Sequence, residues 1–432
     1  MGAQGSKDDQ IGGSKSKDIR IISFYQKISN SQVLTTGLLL DYFPEYSRAL
    51  IERIFSLSQE PGGIVSEDQF VEVVDKILAP RSAVSLSKFY YESFCGSDTL
   101  QEKDVELLVS TAFSLFLVSC EVSLEASPLD QETQRLLVQT IVSKETSGAG
   151  LEWMESHCQE LLMGMHQWFV AQVNPSDNVD SAKATATATE YTLPDHEGAL
   201  LSIGMWWALS SSLPSIYTQP KSNSSATPSS ETSKSQVSGK QPWTLLYSSR
   251  EHGLSVNRLQ HHVFGYKGPT VLVISFEGGF MYAVGLDTEW REGTVPWGGS
   301  SCVAIRLAPD YSIVEEGEYM VLFNEKSRNL PKGLFIGRDP KRRLLSITEG
   351  LQAMTHKGLN ANIINAEVWG CASSDVKREQ AKQKKTERKD TERNAKVKLP
   401  GQWEDNPDRL LLDWGTTRSD YAEAYREDTK QP

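Results

Sequence analysis

The spacing of apolar residues divides the chain into two kinds of territory. Over about 19–171 they return every three or four positions, as in Ala49, Leu50, Ile54 and Leu57 or in Phe70, Val73, Val74 and Ile77, the period of helices with one buried side. Pro44, Pro61 with Gly62 and Gly63, Pro80 and Gly96 break this stretch into segments. From Trp243 onward the period shortens to that of strands. TVLVISF (Thr270–Phe276) is apolar on both faces, as a central strand buried on two sides requires. Gly278 and Gly279 turn it back into FMYAVGL (Phe280–Leu286), and CVAIRL (302–307) and YMVLF (319–323) predict further strands. At the start of this region Trp243, Leu245 and Tyr247 alternate with Thr244, Leu246 and Ser248, which predicts one aromatic face. The fold class is α+β.

Two connections carry few large apolar side chains. The first, 172–189, is polar with an Ala-Thr alternation; the second, 217–240, is rich in Ser, Thr, Pro and Lys and reads as a flexible linker. Between them an apolar helix over about 196–211 is expected to pack on the β-rich part. That helix and the run 107–120 are too short and too interrupted by Ser to cross a bilayer. The expected organisation is a disordered N-terminus (1–18), an all-helical domain (19–171), a connection with its packing helix (172–215), a linker (216–241), a β domain (242–372) and a charged tail (373–432).

Charge narrows the partners. With 44 basic against 56 acidic side chains the net charge is -12, which argues against a coat for nucleic acid, and no nucleic-acid partner is expected. Cys95, Cys120, Cys158, Cys302 and Cys371 follow no metal-ligand or disulfide-framework spacing, as in a reducing, intracellular compartment. The opening MGAQGS places Gly2 and Ser6 in the pattern of N-myristoylation. One such chain gives only weak membrane attachment, with an association constant on the order of 10⁴ M⁻¹, so a second contact is needed. In the tail, 375–398 is dense in Lys and Arg with interspersed acids and predicts a solvated helix held by i,i+4 pairs, or disorder. Leu410, Leu411, Leu412 and Trp414 follow in an acidic setting. Three uses fit this tail: a partner-docking helix, a basic contact with anionic lipid, or a nuclear address at KQKK (382–385).

One candidate metal site falls in the helical part. IFSLSQEPGGIVSEDQFVEVV has the helix, Gly-Gly turn and second helix of an EF-hand. With Gly63 at the sixth loop position, the ligands become Ser58, Glu60, Gly62, the Ile64 carbonyl, Ser66 and Gln69. Calcium needs several anionic oxygens to replace its hydration, and only Glu60 supplies one. A second helix, turn and helix at 96–108 is equally poor in ligands. Both read as degenerate EF-hand-like scaffolds; calcium is not expected, and neither is any metal or cofactor.

A search for catalytic patterns finds no GxSxG elbow, no Walker glycine loop, no HExxH and no GxGxxG after a strand. His252, in a Glu-His-Gly turn beside Arg250 and Glu251, reads as a hydrogen-bonding strut. The chain is expected not to be an enzyme, with no catalytic residue. Cys302, in an apolar strand, should be buried and inert.

WTLLYSSREHGLSVNRL (243–259) together with NAEVWGC (365–371) resembles the two ends of a TLDc domain. The resemblance implies a two-sheet β-sandwich flanked by helices, closed by a last strand over 367–370. It implies no accepted catalytic mechanism, but association with oxidative-stress resistance and with the V-ATPase. This chain departs from the family at Met281 to Gly285, and where the family has a glycine-rich run it has GLFIGRDPKRRLL (333–345), which adds Arg338, Lys341, Arg342 and Arg343. These four, with Arg250, Glu251 and His252, are the candidate partner-binding residues. The layout is similar to N-myristoylated, EF-hand-like TLDc proteins tied to mTOR signalling at the lysosome, with plant EF-hand TLDc proteins a second fit. That likeness implies a non-catalytic peripheral-membrane adaptor for the V-ATPase or a lysosomal or vacuolar signalling complex, on the cytoplasmic face of that or another membrane and in the cytoplasm. The alternatives are a stress-protective redox enzyme using Cys302 or Cys371, a calcium sensor, or a nuclear protein.

Overall fold

The structure is a computed structural model that describes residues 19–56, 63–96, 101–120, 122, 124, 128–145, 149–158, 160–174, 199–218, 243–356 and 358–395. Gly2, the loop positions Ser58, Glu60 and Gly62, most of 217–240 and the apolar cluster at 410–414 lie outside the described residues.

The helical half is built from α1 (Ile19–Ser29), α2 (Thr36–Tyr42), α3 (Arg48–Ile54), α4 (Glu67–Leu78), α5 (Ala83–Cys95), α6 (Glu102–Ser119), α7 (Gln131–Glu145), α8 (Gly150–His157) and α9 (Met163–Val173). Ser66 and Ser82 start α4 and α5 as caps, their hydroxyls accepting from Gln69 N and Ser85 N at 3.2 Å. The all-round apolar α6 is the centre of this half, with Val105, Leu108, Ala112, Phe113 and Leu117 buried.

A loop-to-loop pairing joins the first helices. Thr35 and Ile64 form an antiparallel rung, flanked by Thr36 N–H to Gly63 O at 2.8 Å and Val65 N–H to Leu34 O at 2.9 Å. The loop before α4 therefore pairs with the α1–α2 loop. Ser66, counted above as a ligand position, spends its hydroxyl on the cap.

Next come α10 (Ile203–Ser212), capped by Ser202, and the short turn α11 (Ser215–Thr218). The polar connection begins later than composition predicts, because Tyr217 is buried, its hydroxyl donating to Ser301 O at 2.9 Å. Among the described residues ten strands follow in one antiparallel sheet: β1 (Thr244–Ser248), β2 (Thr270–Phe276), β3 (Phe280–Leu286), β4 (Val303–Ala308), β5 (Ser312–Glu316), β6 (Val321–Asn324), β7 (Gly333–Ile336), β8 (Leu345–Thr348), β9 (Ala353–His356) and β10 (Leu359–Gly370). The order is β5-β4-β3-β2-β10-β9-β8-β7-β6, with β1 also on β10. The long β10 joins two halves: 359–362 pairs with β9, and from Ile363 on, with a bulge between Ile363 and Asn365, the strand pairs with β2. The expected two layers are thus a single sheet curled about β10. Two short helices, α12 (Ser249–His252) and α13 (Val256–Val263), follow β1.

Two cores result. Inside the curl lie Leu272, Ile274, Phe276, Val284, Val321, Leu334, Ile336, Ile347 and Val368. On the opposite face Val271, Val273, Ala283, Val303, Ile305, Leu307 and Trp369 pack with α10 and the helical half in the other. Trp206 meets Trp243 edge-on at 5.9 Å, and Phe113 meets Trp207 at 5.3 Å. Tyr311, from the β4–β5 turn, reaches into this layer and donates to Ala208 O at 3.1 Å and Ser212 Oγ at 2.7 Å.

The expected single aromatic face of β1 is corrected. The register passes from Leu245↔Trp369 to Tyr247↔Val368, so Leu246 is an extra residue that flips the alternation. Trp243 joins the helical core and Tyr247 the inner one.

The last described element, α14 (Ser374–Ala395), is a polar helix with Gln383–Glu387 and Arg388–Glu392 contacts at 2.9 and 3.1 Å, the i,i+4 pattern expected of it.

At Gly370 an added Cβ would sit 2.6 Å from Tyr266 Cζ, and Tyr266 is held by Ala372 N–H at 2.9 Å. Gly370→Ala is therefore expected to destabilise the protein by about 1–3 kcal/mol, read as a lower urea midpoint. Tyr311→Phe removes two buried hydrogen bonds and is expected to cost about 1–3 kcal/mol in the same assay; an unchanged midpoint would contradict the Tyr311 anchor.

Candidate partner-binding surface

Two chain segments hold the candidate residues, and the fold uses their members differently. After β1, Ser248 to Gly253 turn sharply, with Gly253 at φ +75. The His252 ring stacks on Tyr247 at 5.7 Å, lies 3.8 Å from the His262 ring and accepts Ser248 N–H on Nδ1 at 3.2 Å. Tyr247 donates to Gly253 O at 2.7 Å, and Ser249 Oγ takes Ala366 N–H at 3.0 Å. His252 is thus a half-buried strut that braces the turn against β1 and α13, and Ser249 ties the turn to β10, while Arg250 and Glu251 face outward.

The second segment is 333–345, where the family has a glycine-rich run. Its ends are strands: Leu334 and Ile336 of β7 and Leu345 of β8 enter the inner core, leaving a turn over 337–344. Gly337, at φ +123, allows it, since a Cβ there would meet Leu344 N at 2.7 Å. Arg338 donates its backbone N–H to Glu315 Oε1 at 2.6 Å and reaches Glu316 O at 3.4 Å, binding the turn to β5. Arg343 closes the turn on Gly337 O, and burial pushes its pKa down. Lys341 and Arg342 stay exposed. The strand order places β10 and β9 between the two candidate segments, so they form separate surfaces.

Beside Lys341, Arg342 and Arg343 opens a groove of about 750 Å³. Its floor contains residues the sequence reading missed. Leu322, Phe335, Ser346 and Thr355 stand opposite one another across β6, β7, β8 and β9, on the face away from the inner core. Alternation in GLFI and LSIT carries that signal, but four-residue strands are too short for it to stand out.

A smaller cavity of about 280 Å³ is lined by Ser156, His157, Ser212, Ser301 and Cys302. Its chemistry is structural. Asp287 Oδ1 accepts Gly299 N–H at 2.7 Å and Cys302 Sγ–H at 3.2 Å, and Oδ2 accepts Ser301 N–H at 3.1 Å. Burial pushes the Cys302 thiol up to about 12, despite an opposing backbone hydrogen bond, and the Asp287 carboxylate adds to the shift. Burial alone raises Cys371 well above the usual range. Burial also lifts Cys95 and Cys158 to about 12. All four are protonated near neutral pH. Alkylation of the native protein at neutral pH, followed by mass spectrometry, is expected to spare these four and to modify them once denaturant is added; rapid native labelling of Cys302 would contradict this environment.

Residues 196–372 match the TLDc domain family. The match includes α10 as well as the sheet. The chain is 28% identical over 98 residues to a protein named MTOR-associated protein MEAK7 from Xenopus laevis, which is 22% of this chain and 21% of that relative. It is 26% identical over 98 residues to the Gallus gallus protein of the same name, with the same coverage of 22% and 21%. The aligned segment thus spans about a fifth of the length of these relatives. The curled sheet and the helix buried against its outer face carry the match, and this part of the chain is a TLDc domain.

Proposed function

We propose that this chain is a non-catalytic adaptor of an mTOR-type signalling assembly, held at a membrane surface by an acyl group on Gly2 and engaging a protein complex through its TLDc domain. The names of the two relatives support the signalling context. The observation that carries the adaptor reading is the groove itself, with Leu322 and Phe335 at one end of its floor and exposed Lys341 and Arg342 beside it, which suits recognition of another macromolecule. The V-ATPase is the partner complex the TLDc resemblance implies, on a lysosomal or vacuolar membrane. Stress resistance, in this reading, follows from regulating that complex. Redox catalysis at Cys302 or Cys371 is disfavoured by their protonated, buried thiols.

Tagged full-length protein is expected to co-purify with V-ATPase subunits or with mTOR complex components, and recovery should fall severalfold for Lys341→Glu/Arg342→Glu or for Arg250→Glu. Absence of both assemblies from the purified material would refute the adaptor reading. Gly2→Ala is expected to move the protein from the membrane pellet to the supernatant on fractionation; equal pelleting of variant and wild type would remove the acyl anchor.

A further inference from the structure

We infer that the groove between the 337–344 turn and the outer face of β6 to β9 is a docking site for an acidic peptide segment of a protein partner, one that carries a bulky apolar side chain. This rests on the adaptor reading and names the chemistry of what the adaptor holds.

The floor sets the size of the occupant. Leu322, Phe335, Ser346 and Thr355 form one row across four strands. Three inter-strand spacings make that row roughly 14 Å wide, which an extended chain crosses in about four or five residues. The row is not uniform. Leu322 and Phe335 form an apolar end, extended by Leu330 and Pro331, while at the other Ser346 offers a hydroxyl and Thr355, which donates to Asn360 Oδ1 at 2.9 Å, offers an acceptor oxygen. A bulky side chain fits the first end, and peptide polar groups fit the second.

Charge sets its sign. The chain as a whole carries a net charge of -12, yet this groove is bordered by Lys341, Arg342 and Arg343. An acidic segment repelled by most of the surface is attracted here, which gives register and a salt-sensitive on-rate. Glu315 also borders the groove, but one carboxylate oxygen accepts the Arg338 N–H at 2.6 Å, so part of its acceptor capacity is already used. Shape separates this ligand from a lipid surface. A bilayer is flat and would touch the basic turn while leaving the recessed row of Leu322 and Phe335 uncovered, whereas one peptide side chain fills it.

The test is fluorescence anisotropy with the full-length protein and a labelled peptide rich in Asp and Glu that contains a single Trp. Binding is expected to weaken roughly tenfold in Lys341→Glu/Arg342→Glu, to weaken in Phe335→Ser, to fall with added salt, and to be unchanged in Arg250→Glu. Both charge reversals are at exposed positions, so that variant reports on the groove even where Phe335→Ser fails to fold. The inference is overturned by no binding, by binding indifferent to the double variant, or by equal binding of a peptide whose Trp is replaced by Ser. Retention of phosphatidylserine vesicles through Lys341 and Arg342, with no peptide binding, would likewise overturn it in favour of a lipid contact. If a complex co-purifies with the double variant but not with Arg250→Glu, the adaptor reading stands and the groove inference falls. If the peptide binds in the groove while no assembly co-purifies, the reverse holds.

Discussion

Val271 and Val273 project from β2 to one side and Leu272, Ile274 and Phe276 to the other, so each face of the sheet needs its own cover. The inner face is covered by the sheet's own curl, because β10 is long enough to pair with β2 at one end and β9 at the other. The outer face has no such recourse, and α10 supplies the cover. Eight of its ten residues are buried, which is why its sequence is apolar around the whole circumference. A buried carboxylate fixes the approach to that helix: Glu367 of β10 accepts Leu200 N–H at 2.9 Å and Trp369 Nε1–H at 3.2 Å. Glu367 and Trp369 belong to the NAEVWGC motif (365–371), and Gly370 beside them leaves the space that the Tyr266 ring occupies. The motif is therefore a packing constraint.

That constraint orders the rest. With the helical half and one sheet face sharing a core, groups able to do chemistry in that interior are committed to structure. Thr140 accepts Tyr311 N–H at 3.2 Å, and Trp243 donates to Tyr217 O at 2.9 Å. The variable chemistry is left to turns at the periphery, where a substitution changes recognition without disturbing packing. The turn over 337–344 illustrates this: Gly337, Arg338 and Arg343 hold its path, and Lys341 and Arg342 remain exposed.

Much of the fold was legible in the sequence because long elements repeat their period often enough to be read. The burial of α6 and α10, the two-sided β2 and the glycine hairpin into β3 followed from composition and spacing alone. What escaped were features decided by one residue or by distant partners. The Leu246 bulge reverses the facing of β1, and nothing local announces it. The Thr35↔Ile64 rung joins loops far apart in sequence. Tyr217 looked like part of a polar linker because its neighbours are polar, yet the fold buries it. Of the candidate site, the basic residues were visible as a departure from the family's glycine-rich run. Their division into tethered Arg338 and Arg343 and exposed Lys341 and Arg342 was not, since it depends on where β5 and the Gly337 carbonyl lie. The groove floor was hidden because Leu322, Phe335, Ser346 and Thr355 converge from four strands.

Asp287 shows why an acid beside a thiol is no sign of catalysis here. A carboxylate that activates a cysteine must act through a base that removes the proton, or be outweighed by positive charge that stabilises the thiolate. Asp287 instead accepts from two backbone N–H groups and from the thiol itself, and its own negative charge opposes ionisation of Cys302. Its work is to fold the glycine-rich loop against β4, where a Cβ at Gly298 would meet Cys302 Sγ at 2.8 Å. Electrostatics inside the domain therefore favour the neutral thiol, and the exposed cations that remain available for an anionic partner include Lys341 and Arg342 beside the groove. An interior that keeps its thiols protonated and an exterior that gathers positive charge at one concave site are the two features on which the adaptor proposal rests.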